Sequence, residues 1–186
     1  EKTNEYVIVK TNTQEFDFPM GDENVYGHWE GNGGVNLGSF TRRLIYAWQF
    51  GDLNLLISSE LTPESRVLYY RNIQERVNHL APFLKLDSDP YLVIMDGRLF
   101  WIQDAYTTTA RYPYSEPIGG INYIRNSVKA VIDAYNGSVT LYVTDPKDAL
   151  IRTYQAIFPN LFVTADQMSE SLRVHLRYPE DMFSIQ

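Results

Sequence analysis

The sequence has 186 residues, 44% of them hydrophobic and 14% aromatic, which is enough apolar material to bury one core. A formal net charge of −7, with no basic cluster larger than the pair Arg42 and Arg43, argues against a phosphate-binding surface, so nucleic acid is not expected as a partner. The absence of cysteine excludes a disulfide framework and thiolate chemistry, and no run of about 18 apolar residues is present to span a membrane.

In chain order, Tyr6 to Lys10 reads as a strand. Residues 11 to 35 read as a Gly-rich polar loop. Its WEGNGGVNLGSF stretch runs into a helix as an anion cradle would, but both GxGxxG and GxxxxGK[ST] are missing, so a plain turn is expected. Leu37, Phe40, Leu44 and Trp48 recur at helical spacing and predict a helix over 37–50, with Arg42, Arg43 and Gln49 off the apolar stripe. Leu53 to Ser58 fits a strand or a helical continuation. Thr62 and Pro63 form an N-cap and first-turn pair, predicting a helix to about residue 80 that turns Val67, Tyr70, Ile73, Val77 and Leu80 inward.

Two hairpins follow. In PYLVIMDGRLFWIQDAY the Asp96-Gly97 turn sets Val93 opposite Phe100 and Tyr91 opposite Ile102 on one face, with Ile94 opposite Leu99 and Leu92 opposite Trp101 on the other. Both faces are apolar and both call for burial. In VIDAYNGSVTLYVTDP a two-residue Asn136-Gly137 loop sets Ala134 opposite Val139, Ile132 opposite Leu141 and Ala130 opposite Val143. The reverse face carries Lys129 and Asp133 and reads as solvated or partner-facing. Asp145 before Pro146 reads as an N-cap, with Asp148 in the first turn of a helix to about Phe158 whose inward stripe is Leu150, Tyr154 and Ile157. Short helical turns are expected at 169–176 and after Pro179. The order of elements predicts one α+β domain over residues 1–186, an antiparallel sheet built from two β-hairpins with flanking helices.

No motif spells out a reaction. His28, His79 and His175 share no ligand spacing and HExxH is absent, so no metal site and no cofactor is expected. No GxSxG surrounds a serine. The densest candidate surface is FWIQDAYTTTARYPYS, where Trp101, Asp104, Tyr106, Arg111, Tyr112 and Tyr114 join aromatic bodies to polar tips. Such a set suits a protein or saccharide ligand. The alternative is that these rings close the end of the sheet.

The stretches EGNGGVNLGSFTRRL, FGDLNLLIS, RNIQERVNHLAPFL, DPYLVIMDGRLFWIQDAYTTTARYPYS, NYIRNSVKAVIDAYNGSVTLYVTDP and HLRYPEDMF resemble, in order and over almost the whole chain, uncharacterised protein family 0182. The resemblance implies a fragment of a large bacterial multi-pass membrane protein, taken from its extracytoplasmic region. Its expected partners are then the transmembrane and extracytoplasmic parts of the parent chain. The resemblance supplies no reaction. The expected role is a noncatalytic binding or assembly domain, with an extracytoplasmic enzyme acting on envelope saccharide or peptide as the alternative. A concave pocket of converging titratable groups would favour the enzyme, and a broad apolar or aromatic face would favour assembly. The chain begins Glu1-Lys2-Thr3 without an initiating Met, as a piece of something longer would.

Overall fold

The structure, a computed structural model, describes residues 6–185. They form two compact units, the first ending at Arg71 and the second starting at Asn72. The elements are α-helices and mainly antiparallel strands, an α+β architecture.

The first unit contains β1 (Tyr6–Val9), β2 (Glu15–Met20), β3 (Glu23–Gly27), β4 (Val35–Asn36), α1 (Phe40–Phe50), α2 (Asn54–Ile57) and β5 (Arg66–Tyr69). Strand β5 lies between β1 and β4 and pairs antiparallel with both. Leu37, Ala47, Leu55 and Val67 form its core, with Tyr6, Tyr46, Phe50 and Tyr69 packed around them. Tyr6 stacks on Phe50 at 4.3 Å and its hydroxyl donates to Asp52.

Three expectations fail in this unit. The stretch 11–35 is not all loop, since β2 and β3 pair as a hairpin. No helix starts at Thr62-Pro63. The Thr62 and Ser65 hydroxyls instead donate to the Lys10 carbonyl, each at 2.9 Å, which ties the turn to β1 and sends Arg66 to Tyr69 into the sheet as β5. The third failure is the orientation of α1. It buries Ala47 with Tyr46 and Phe50 alongside, while Phe40, Leu44 and Trp48, expected inward, are 67%, 50% and 87% exposed.

The second unit contains α3 (Ile73–Leu80), β6 (Lys85–Leu86), β7 (Tyr91–Met95), β8 (Arg98–Thr109), β9 (Tyr123–Asp133), β10 (Val139–Val143), α4 (Ala149–Ile157), β11 (Phe162–Thr164), α5 (Glu170–Arg173) and α6 (Glu180–Ile185). Helix α3 begins where Asn72 caps it, accepting from the N–H groups of Gln74 and Glu75. The sheet runs β11-β10-β9-β8, and the long β8 pairs with β7 near its start and with β6 further along. Only the β10–β11 pairing is parallel.

The β7–β8 hairpin takes the register expected from its sequence, with Asp96 and Gly97 both at positive φ (51° and 76°) as a type I′ turn requires. The β9–β10 hairpin does not. Its loop is four residues, closed where the Asp133 N–H donates to the Ser138 carbonyl, so Ile132 faces Val139 rather than Leu141. The Asp133 carboxylate explains the shift, because it accepts from the N–H groups of Tyr135 and Asn136 and curls the chain before Gly137, which carries the positive φ of 71°. The slip is two residues, so each side chain keeps its face.

One sheet face packs Ala105, Val128, Ala130, Ile132, Leu141 and Val143 against Val77 and Ala81 near α3 and Ile151 of α4. The reverse face, expected to meet solvent or a partner, is covered too. Val131 and Ile102 pack against Met168 and Leu172, and Lys129 and Asp133 are buried. In α4 the N-cap is Asp148 rather than Asp145, and the buried residue is Ile151, while Ile157 is 58% exposed.

Candidate functional site

Strand β8 positions half of the sequence-predicted residues, and the chain separates rather than gathers the set. Asp104 and Tyr106 are buried, at 2% and 0% exposure. Trp101 is half-buried and packs on the larger core cluster. Arg111, Tyr112 and Tyr114 lie exposed in the 110–122 connection between β8 and β9. There the Asn122 side chain holds the backbone of Tyr112 and Ser115, and the Tyr112 ring stacks on Tyr123 at 4.9 Å. Tyr114 makes the tip, with φ 62° and full exposure. Six residues read as one surface are therefore three interior residues and three loop residues.

Apart from Gln103 Oε1 and Asn126 Oδ1, which have no hydrogen-bond partner among the described residues, the interior polar groups of this sheet are engaged. Lys129 forms an ion pair with Asp104 and donates to the Arg177 carbonyl at 2.9 Å. Burial pushes the Asp104 carboxyl above its ordinary range, opposed by Lys129 and by Asn126, which donates to it at 2.9 Å. The Tyr106 hydroxyl donates to Asp87, whose carboxylate also accepts from the Asp181 N–H at the start of α6. Burial, with that carboxylate, raises the Tyr106 hydroxyl far above a free phenol. Asp148 accepts from Thr107 (2.5 Å), Ser127 (2.6 Å) and Tyr123 (2.5 Å). Burial pushes its carboxyl up, but these donors outweigh it and hold the group below the usual range. Burial, with the same Asp148 hydrogen bond, pushes Tyr123 up to about 12. These contacts strap 177–181 and the α4 start onto the sheet, and none of them presents a reactive group to solvent.

The first unit leaves more open. On α1, Phe40, Leu44, Trp48 and Ile45 lie, with Thr41 among them, on the side of the helix away from the packed Tyr46 and Phe50, and Ile45 is 58% exposed. Leu53 and Ile57, at 71% and 78%, extend the apolar surface into the α2 region. Separately, Lys10, Thr11, His28, Trp29, Glu30, Thr62, Pro63 and Glu64 line an open cleft of about 750 Å³. Sequence reasoning missed both. It placed the α1 stripe inward because a second apolar arc, Tyr46, Ala47 and Phe50, was not weighed against it. It weighed the stretch that starts at Trp29 and Glu30 only as an anion cradle and His28 only as a metal ligand, although the Trp-Glu pair beside Gly31 was the available signal.

Comparison with known proteins places this geometry in context. The profile of an uncharacterised protein family, UPF0182, matches residues 1–186. A UPF0182 protein of Sulfurovum sp. (strain NBC37-1) is 53% identical over 193 residues, covering 100% of this chain and 21% of the relative. The UPF0182 protein of Pelotomaculum thermopropionicum is 54% identical over 187 residues, again covering the whole chain and 20% of the relative. One from Cupriavidus necator is 55% identical over 183 residues, covering 97% of this chain and 20% of its own length. The chain thus spans about a fifth of the length of these relatives. No solved structure matches it.

Proposed function

This chain belongs to the uncharacterised protein family UPF0182, and from that premise we propose that it is a noncatalytic assembly module of a larger protein, held on the extracytoplasmic side of a membrane. The observation that carries the reading is the apolar arc of α1, where Phe40, Leu44, Ile45 and Trp48 are 50–87% exposed. Monomeric proteins rarely leave such a contiguous apolar surface uncovered. Removing each large side chain from water contributes roughly 1.5 to 3 kcal/mol, a strong drive toward a partner surface. The parent protein supplies the candidate, since about four fifths of the relatives' length lies outside this chain. The membrane assignment rests on the resemblance set out above. Among the described residues, no helix is long and apolar enough to cross a bilayer, so the anchor belongs to the parent.

The test is co-purification in trans. This chain, expressed beside its parent protein lacking the corresponding segment, is expected to be recovered with it. Phe40→Ser combined with Leu44→Ser and Trp48→Ser should abolish recovery without lowering the melting temperature. Equal recovery of the variant, or no recovery of the wild type, would sink the proposal.

A further inference from the structure

The cleft of the first unit uses none of the α1 arc residues, so what it binds and what α1 docks against can fail separately. Its walls come from three chain segments: the end of β1, the residues after β3, and the turn before β5. Glu15 joins the first two. Its carboxylate accepts from the Lys10 N–H at 2.7 Å and from the Trp29 N–H at 3.2 Å. The third is joined to the first through the Thr62 and Ser65 hydroxyls on the Lys10 carbonyl. Lys10 is thereby held at φ 57°, a conformation that a residue with a Cβ adopts only when its surroundings impose it. Trp29 is seated against the backbone of Gly31, where any added Cβ would run into the indole.

Four head groups surround the indole. The Lys10 ammonium lies 5.5 Å from the ring centroid. The side chains of Glu30, Glu64 and His28 share the lining, and the Glu64 N–H donates to the Thr62 hydroxyl at 3.2 Å. One ammonium against two carboxylates leaves the lining net negative, which disfavours an anionic guest. The ammonium already beside the indole disfavours a cationic one on the ring. The fitting ligand is uncharged, has an apolar face to lie on Trp29, and carries a rim of hydroxyls that both donate and accept. The cleft falls within the roughly 300–1,000 Å³ typical of small-molecule sites.

We propose that this cleft is a saccharide-binding site, with Trp29 as the stacking platform, Glu30 and Glu64 accepting from ring hydroxyls, and Lys10 and His28 donating to ring oxygens. Glu15 acts through these residues by fixing the two backbones that carry them. The test follows the indole N–H resonances of Trp29, Trp48 and Trp101 during titration with chitotetraose, cellotetraose and maltotetraose, and with tetralysine and tetraglutamate. At least one tetrasaccharide is expected to shift the Trp29 resonance saturably while the other two stay in place. Trp29→Ala should weaken that binding about tenfold or more, as loss of an aromatic anchor does. Glu64→Gln, at an exposed position that leaves the fold intact, should weaken it as well. Three outcomes overturn the assignment: no Trp29 shift with any tetrasaccharide, a preference for either charged peptide, or binding undiminished in both variants.

Discussion

The two units handle similar chemistry in opposite ways. The second unit covers both faces of β8 and β9 with its own helices, leaving Leu92 and Ile94 of β7 exposed, and pairs its buried carboxylates with lysine, hydroxyls and backbone N–H groups. The first unit has a small core and leaves an apolar helix arc and an ionisable cleft facing outward. Amphipathic pattern alone does not separate these outcomes. Whether an apolar face is core or interface depends on how much other apolar surface the unit has to set against it. Mutations should therefore act on stability in the second unit and on association in the first.

The largest effect on stability is expected at Lys129. Lys129→Ala leaves the Asp104 carboxyl buried without its ion-pair partner, and breaking a buried pair from one side costs about 3–5 kcal/mol. Urea unfolding would measure the loss. A change near the surface-mutation range would show that water reaches this pair. Acid should act in the same unit. Asp148 and Asp133 have carboxyls held below the ordinary range, in each case because hydrogen bonds outweigh the upward push of burial. Their stabilisation is fully present above the unfolded Asp value of about 3.9 and is lost as pH falls through the lower folded values. Asp104, raised by burial, runs the other way: its contribution is present at low pH and is lost as pH rises through its folded value. Melting temperature against pH should thus fall steeply below about pH 4, and Asp133→Asn should flatten part of that limb.

A smaller loss, about 1 kcal/mol or more, is expected for Gly137→Val. A β-branched residue resists the φ of 71°, and its Cβ would meet the Arg76 guanidinium, which donates to the Gly137 carbonyl at 2.7 Å. An unchanged denaturation midpoint would contradict it. The smallest stability effect is expected for Trp48→Ser. At 87% exposure the side chain contributes little to the core, and the change should stay within about 0.5 kcal/mol. A drop of several degrees in melting temperature would return Trp48 to the core and remove the main contrast between the units.

Local chemistry made part of this legible in the sequence. The Asp96-Gly97 turn dictates its own register, because both residues must take positive φ and the flanking residues pair outward from there. The helices over 40–50 and 149–157 and the turn at Ser169 follow from periodicity and capping residues. What was illegible depends on side-chain contacts that the local pattern does not announce, one of them within a turn and the others at long range. The Asn136-Gly137 pair looked like a two-residue loop, but the Asp133 carboxylate competes for the turn N–H groups and lengthens it. Thr62 and Pro63 looked like a helix start, but the Lys10 carbonyl, more than 50 residues away, takes the Thr62 and Ser65 hydroxyls. Lys129 and Asp133 looked solvated or partner-facing because nothing near them in sequence announces that 165–182 will cover that face. The aromatic run failed as one surface for a related reason. Both faces of β8 are covered from Ile102 to Thr107, so Asp104 and Tyr106 are buried with their neighbours, and the residues past Thr109 leave the sheet.

The central claim is that the α1 arc is a docking face, and hydroxyl-radical footprinting of Phe40 and Trp48 in the isolated chain and in the full-length parent protein tests it most directly. The account predicts rapid modification of both side chains in the isolated chain and strong protection of both in the parent, with the exposed Tyr135 as an unchanged reference. Equal modification of Phe40 and Trp48 in the two proteins would contradict it.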